Sequence, residues 1–335
     1  MTQVSTFRAL LAAILCIAGC TTPSRPNSGP SASAMASSTT QPSTQPSAAK
    51  PVMGTRPLID FARGAGGFPL TSDIMPDSRD ALAASLAEEY RARVHIPESA
   101  APVIAIGANY PKLESLSVDL SGGKIKSAYR PSTFKAVGRL QRNVLHVDQL
   151  SYTATPLRYV DGSTNLRITA SDVTLGLLRG RGEQAALVMT DAKNGSVHFE
   201  VPLEDLRSMF KVSAKTGGSR AGYSVQDIKM NLIAHDSRAL TCELKVRGFW
   251  VLLPTSFKLT GRIDIDDQFN AHISNVSCRG EDVGGVLLSG FIDNALQKYD
   301  GRVMPLASFP GGKIQIRDVK ISVDDSLRVY AAFGS

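Results

Sequence analysis

A tract that is almost free of large apolar side chains, residues 21–50, limits what this chain can fold into. Eighteen of its 30 residues are Ser, Thr or Pro, and its only charged residues are Arg25 and Lys50. Such a composition buries too little apolar surface to offset the entropy lost on ordering. We therefore predict a disordered tether over residues 20–55. The remaining 280 residues, 56–335, are numerous enough to bury a sizeable core.

A short apolar run, Ala9–Gly19, precedes Cys20. It is too short for a membrane-spanning helix, which takes about 20 residues, but it suits the core of a secretory signal. The sequence Ile17-Ala18-Gly19-Cys20 resembles the lipobox of bacterial lipoproteins, in which the cysteine is acylated and becomes the new N-terminus. The resemblance implies a signal peptide over 1–19, a lipid anchor at Cys20 and a location in the cell envelope. The alternatives are an ordinary signal peptide with a chance cysteine, or a buried apolar helix.

The residue after the cysteine and the net charge bear on the partners of such a protein. Thr21, rather than Asp, follows Cys20, which by the same resemblance favours the periplasmic face of the outer membrane in a Gram-negative cell. The formal charge of +7 falls to +6 once Arg8 is removed with the signal peptide. A mildly basic exported protein suits anionic lipid headgroups or cell-wall polymers. Nucleic acid is not expected, because no basic cluster with interleaved aromatic residues occurs.

Two cysteines remain in the predicted folded unit, Cys242 and Cys278. Residues 240–250, 255–264 and 268–278 have the pattern of an up-down-up meander, which places the two cysteines at opposite ends, about 25 Å apart. A disulfide needs Cα atoms within about 7 Å of each other. We therefore predict two free thiols.

Helical spacing appears in three places. Residues 78–94 carry apolar side chains every fourth position, with Asp77 or Ser78 as the cap. A second helix starts at Pro202, with two acidic residues in its first turn. The third pattern, Glu281 to Tyr299, has an apolar face wider than a surface helix needs, so we expect a curved sheet or another apolar surface to cover it.

Period-two alternation marks strands over much of residues 101–201 and again from Tyr223. Asn194-Gly195 is typical of a tight turn between two strands. A closing hairpin changes phase at Arg317-Asp318, which indicates a bulge. The sequence thus predicts an α+β fold with an antiparallel sheet.

The last two thirds of the chain resemble the LmeA-like phospholipid-binding proteins, relatives of the tubular lipid-binding (TULIP) superfamily. The resemblance lies in a strand that runs into a helix at 201–206, a meander that feeds the helix 283–296, and the proline-rich step at 304–314 into the final hairpin. It covers residues 110–335 as a single module, preceded by an N-terminal helix and loops over 56–109. The fold that it implies is a curved antiparallel sheet that wraps long helices.

The same resemblance implies a function, the binding or handling of a phospholipid or another acyl-chain ligand in an apolar groove. The groove candidates lie on the second and third helices, although each of them can also serve as ordinary core: Leu206, Phe210, Leu287, Leu288 and Phe291.

A second set of candidates lies at a hairpin connection, where polar turn residues are the norm. With Lys245, Arg247 and Lys258 nearby, these apolar residues suit a membrane interface. The alternative is a strand end buried under a loop. The candidates for this membrane tip are Phe249, Trp250, Leu252 and Leu253.

The sequence offers little sign of catalysis. The five histidines are scattered without metal-ligand spacing, no Gly-x-Ser-x-Gly motif occurs, and the paired acids fall in predicted turns. We expect no enzyme, no cofactor and no metal site. The alternative to lipid handling is a structural or adaptor lipoprotein that binds an envelope protein partner without lipid cargo.

Overall fold

The structure is a computed structural model that describes residues 52–53, 57–60, 67–126, 136–137, 139–180, 184–219, 222–250 and 253–335. The predicted signal peptide, Cys20 and residues 21–50 of the tether lie outside the described residues.

The fold is mostly β-sheet, with 61% strand and 17% helix, so the predicted α+β fold of a curved sheet wrapping long helices is wrong. The described residues form three short helices of 15, 17 and 15 residues: α1 (Arg79–Arg93), α2 (Leu203–Ser219) and α3 (Val283–Gln297). Three strands of the larger sheet are longer than their local sequence patterns indicate and reach 18 or 19 residues. The helices, about 25 Å long at most at 1.5 Å per residue, are too short for a sheet to wrap.

The larger sheet has the strand order β17-β18-β10-β9-β8-β6-β5, with β3, β7 and β4 attached beside it. Its pairs are antiparallel except for the β6–β8 and β7–β8 pairs. Its strands are β3 (Phe68–Leu70), β4 (Val94–His95), β5 (Val103–Ile106), β6 (Lys112–Asp119), β7 (Lys124–Ile125), β8 (Gln141–Tyr159), β9 (Gly162–Arg179), β10 (Ala185–Pro202), β17 (Gln315–Val323) and β18 (Ser326–Gly334).

The second sheet has six strands in the order β1-β15-β14-β13-β12-β11. The chain enters it through β1, which pairs in parallel with β15. Its strands are β1 (Val52–Met53), β11 (Tyr223–Asp236), β12 (Ala239–Trp250), β13 (Leu253–Ile265), β14 (Asn270–Gly280) and β15 (Arg302–Pro305); β2 (Ile59–Asp60) and β16 (Ala307–Ser308) form a separate pair.

The two sheets repeat one arrangement. In each, three antiparallel strands lead directly into a helix: β8-β9-β10 into α2, and β12-β13-β14 into α3. The helix α2 packs against β9 and β11, and α3 packs against β13 and β14. Each of these helices therefore lies at the end of a meander.

Local signals placed the helices well. Ser78 caps α1, as predicted, by accepting a hydrogen bond from the Ala81 amide at 3.3 Å. Asp282 caps α3 in the same way, through the Gly285 amide at 2.6 Å. The predicted bulge in the closing hairpin is confirmed by a register shift between Ile316 and Asp318.

The predicted turn at Asn194-Gly195 is wrong, because β10 runs through it without a break. Asn194 pairs with Ser171 on one side, and Gly195 pairs with Phe333 on the other. The Phe333 ring covers the position where a side chain on residue 195 would stand. The glycine therefore accommodates an aromatic ring from the last strand rather than a change of chain direction.

Cys242 and Cys278 are free, as predicted, but for a different geometrical reason. They lie opposite Gly261 and Leu259 of the intervening strand β13. The two cysteines are two strands apart and offset by two residues, so their Cα atoms are about 12 Å apart rather than the predicted 25 Å. That distance is still too long for a disulfide.

Candidate functional site

One side of α3 leaves apolar side chains in solvent. Val283, Val286 and Leu287 are 78%, 61% and 53% exposed, and their spacing places them on one helical face. Leu288 and Leu296, on the other side of the helix, are buried in the core. The wide apolar surface that the sequence shows is therefore only half covered by the rest of the described structure.

Among the α3 side chains that the structure describes, the large apolar ones that are exposed lie in the first two turns. Farther along the same helix, the exposed positions are polar: Asn294, Gln297 and Lys298, the last of these at the C-cap. This places the exposed apolar residues at the end of α3 that lies beside the β12–β13 hairpin.

The tip of that hairpin is also apolar and exposed. Gly280, the last residue of β14, pairs with Phe257, so the hairpin extends beyond β14 to the Trp250–Leu253 pair at its tip. Phe249 and Leu253 are 36% and 49% exposed, whereas Trp250 is half-buried against the core. Such exposure is uncommon for large apolar residues clustered at a turn.

The first turn of α3 lies directly against the hairpin, along the part of β13 that β14 leaves unpaired. The Glu281 amide donates a hydrogen bond to the Ser256 carbonyl oxygen at 2.8 Å. A Cβ atom on Gly284 would stand only 2.5 Å from Thr255 Oγ1 and 2.6 Å from the Pro254 carbonyl oxygen. The exposed large apolar side chains of the helix and of the hairpin thus lie at the same end of the second sheet. Phe249 and Leu253 point to opposite faces of the hairpin, because Phe249 pairs with Pro254 and Leu253 with Trp250. We call the five exposed residues at this end the exposed apolar surface: Phe249, Leu253, Val283, Val286 and Leu287.

Four cations stand side by side on the solvent face of the second sheet. The register pairs Lys229 with Lys245, Lys245 with Lys258, and Lys258 with Arg279. Like charges directly opposite each other are unfavourable unless counter-charges lie nearby. We call this set of four the cation row.

Two members of the cation row have carboxylate partners. Lys245 pairs with Glu281 at 2.6 Å, and hydrogen bonds from Lys245 and Ser256 lower the pKa of Glu281. Lys258 pairs with Glu243 at 2.8 Å and, through its hydrogen bond, lowers the pKa of that carboxyl. Among the described residues, no carboxylate forms an ion pair with Lys229 or Arg279. The cation row therefore keeps a net positive charge. It lies about 16 Å from the hairpin tip, the distance along β12 from Lys245 to Trp250.

The structure places the predicted groove residues on two helices. Leu206 and Phe210 are buried on α2, which packs against β9 and β11, and Leu288 is buried on α3, which packs against β13 and β14. Leu287 is exposed, and the side chain of Phe291 lies outside the described residues. Of the predicted membrane tip, Leu252 also lies outside the described residues.

Two members of the exposed surface, Val283 and Val286, were not among the predicted site residues. Their sequence signal was the breadth of the apolar face on this helix, which exceeds what one packed side needs. The sequence does not distinguish the covered side from the open one, because that depends on where the β12–β13 hairpin lies.

Within the described ranges, none of the helices combines the length and the apolar character needed to cross a membrane. No family model, no curated protein and no solved structure matches this chain, so the resemblance to LmeA-like proteins stays an expectation from the sequence pattern.

Proposed function

We propose that this protein is a lipid-anchored envelope protein that docks its exposed apolar surface on a bilayer and there binds phospholipid through the acyl-chain region. The observation that carries the proposal is the exposure of three neighbouring aliphatic side chains on α3 beside an apolar hairpin tip. Large apolar side chains that cluster in solvent mark contact surfaces for proteins or membranes.

The energetics favour reversible docking. Full burial of a Val, Leu or Phe side chain contributes about 1.5–3 kcal/mol. The five residues are already partly buried, so insertion gains less than the full amount from each. A single signal of this size gives weak membrane binding, and stable attachment requires a second one. The acylated Cys20 that the sequence predicts would supply it.

The positive side chains near the hairpin favour an anionic bilayer over a neutral one. Arg247, opposite Ser256, lies three residues from the Trp250 end of the hairpin, and the cation row lies farther along the same strands. Each Lys or Arg close to an anionic bilayer contributes about 1 kcal/mol. An inserted tip therefore brings Arg247 to within about 10 Å of the apolar contact, near the level of the lipid phosphates.

Vesicle co-sedimentation tests the proposal. The mature chain with Cys20→Ser, which cannot be acylated, is mixed with vesicles of phosphatidylcholine alone or with 30% phosphatidylglycerol as a defined probe. We expect binding that increases with the anionic lipid and falls at least 10-fold in a Val286→Ser, Leu287→Ser double variant. The matched control is Ile104→Ser, Ile106→Ser, which changes two similarly exposed side chains on β5 of the other sheet.

Equal binding by the α3 variant and the wild type would contradict the proposal. Capture of an envelope protein by the wild type but not by the α3 variant, with no vesicle binding, would support the adaptor alternative instead. Mass spectrometry of the purified chain then tests the finer claim, that phospholipid remains bound.

A further inference from the structure

Three side chains of types that can ligate a metal ion meet on the solvent face of the larger sheet, far in sequence from the exposed apolar surface. His146 and Asp148 are two residues apart on β8 and so point to the same side. Asp172 of β9 lies directly opposite Asp148, because Val147 pairs with Val173 and Gln149 pairs with Ser171. One ligand atom from each of the three lies within 4.8 Å of the other two.

The distances match a compact coordination shell. His146 Nε2 lies 3.1 Å from Asp148 Oδ1 and 3.4 Å from Asp172 Oδ1. Two ligands bound tetrahedrally at about 2.0–2.1 Å from one Zn²⁺ ion are about 3.3 Å apart. The three atoms can therefore bind one ion with small side-chain rotations, on strands that fix their Cα positions.

The charges around this cluster favour a cation. Glu114 of β6 stands beside Asp148, since Leu113 pairs with Val147 and Ser115 with Gln149. Three carboxylates, Glu114, Asp148 and Asp172, thus lie in one row across three neighbouring strands. Like charges in such positions are unfavourable unless a positive group separates them.

The neighbouring positive side chains are lysines at the margins of the row. Lys112 Nζ lies 4.0 Å from Asp148 Oδ1 and its side chain is 66% exposed, so this ion pair contributes little. Lys193 lies across from Asp172 on β10 and is exposed. Both lysines have room to turn into solvent, which leaves the centre of the row to an ion.

We propose that His146, Asp148 and Asp172 form a binding site for a divalent transition-metal ion of the Zn²⁺ type. One imidazole nitrogen and two carboxylate oxygens are ligands that Zn²⁺ takes, whereas Mg²⁺ and Ca²⁺ prefer oxygen alone. Three protein ligands leave a coordination position open to water or to a ligand. The site does not depend on membrane docking, because it lies on the other sheet.

Calorimetric titration of the mature Cys20→Ser chain with ZnCl₂ tests the proposal. We expect one Zn²⁺ per chain, and at least 10-fold weaker binding in each of His146→Ala, Asp148→Asn and Asp172→Asn. Asparagine suits position 172, where φ is +55°, because it tolerates the left-handed region. His198→Ala is the matched control, an exposed histidine on β10 whose ring lies 4.8 Å from the Tyr330 ring.

Lys112→Gln separates a local effect on the site from misfolding, because misfolding would weaken Zn²⁺ binding whereas this change should strengthen it. Removal of a positive charge beside the site should tighten Zn²⁺ binding several-fold. Saturable binding that is lost in the three ligand variants and tightened in Lys112→Gln supports the site. Absence of one-to-one binding, equal binding by the ligand variants, or Mg²⁺ binding as tight as Zn²⁺ binding would overturn it.

Discussion

The backbone of Gly285 lies against the carbonyl oxygen of Ser256 so closely that a single methyl group on residue 285 would overlap it. This contact joins the first turn of α3 to the unpaired edge of β13. The Asp282 cap holds the same turn through the Gly285 amide at 2.6 Å. The position of the exposed apolar surface therefore depends on a glycine that carries no part of that surface.

Gly285→Ala should destabilise the protein, because the added methyl group would overlap the backbone carbonyl oxygen of Ser256 rather than a flexible side chain. Overpacking of this kind costs about 1–3 kcal/mol. Gly290→Ala is the matched change on the same helix, where a Cβ atom meets nothing within 4 Å. It should be neutral or stabilise by up to about 1 kcal/mol. Urea unfolding of both variants measures the difference, and equal effects would exclude the close contact.

The two free thiols should be unreactive in the folded protein. Burial, and next the nearby Glu243, raises the pKa of Cys242 to about 12; burial, and next Asp293, does the same for Cys278. The thiolate is the reactive form, so little of it exists at pH 8. With Cys16 and Cys20 replaced by serine, a thiol reagent should label neither cysteine quickly until urea unfolds the chain. Fast labelling of either one would contradict the described burial.

Two tyrosines should make the fold sensitive to alkali. Burial, followed by Asp77 and Asp282 respectively, raises the pKa of Tyr110 and Tyr223 to about 12. Because the folded pKa is raised above the usual value of 10.0, the stability that each contributes is complete below pH 10 and is lost as the pH rises towards 12.

Tyr223→Phe should therefore flatten the decline in stability between pH 10 and pH 12. The measurement is urea unfolding as a function of pH, with Tyr159→Phe as the control at an exposed site. An unchanged slope in the Tyr223 variant would show that the phenol is not shielded from solvent.

Asp266 should stabilise the β13–β14 turn at neutral pH but not in strong acid. It accepts hydrogen bonds from the amides of Gln268 and Asn270 at 2.9 and 2.8 Å, and it contacts His272 Nε2 at 2.8 Å. Burial alone would raise its pKa, but these hydrogen bonds outweigh it and hold the pKa at about 2. The stability it contributes is therefore present above pH 4 and is lost as the pH falls to about 2.

Asp266→Asn should lower the free energy of unfolding by about 1–2 kcal/mol at pH 7, because hydrogen bonds to a carboxylate are replaced by weaker ones. The difference from wild type should shrink as the pH falls from 4 towards 2. Asp267→Asn is the control, since the side chain of Asp267 is 99% exposed and its pair with Arg238 contributes little. A pH-independent difference would mean that charge is not the cause.

The sequence predicted elements whose signals are local. The cap at Ser78 located α1 to within one residue, and the strands of the meander were placed within about two residues of their observed bounds. These signals arise from a few neighbouring residues, so no knowledge of the rest of the chain was needed.

Features decided by distant contacts were not predictable in this way. Gly195 looks like part of a turn until Phe333 of the last strand is placed over it. The fold class was missed because strands such as β8 and β10 pair with β9 along nearly all of their 18 or 19 residues, whereas the local patterns indicated shorter strands. For the candidate site, the sequence indicated the apolar tip but not the exposure of Val283 and Val286 beside it.

The parallel pairing of β1 with β15 decides where the chain enters the folded unit. Arg302 of β15 pairs with Ile273, seven residues before Gly280 at the end of β14 near α3. This distance is about 23 Å. The tether of about 30 residues that the sequence predicts would have a root-mean-square span of about 30 Å, enough to cover this distance without stretching. An anchor at Cys20 would keep the apolar surface at a millimolar local concentration above its own bilayer. Such a surface can bind and release many times without the protein ever leaving the membrane.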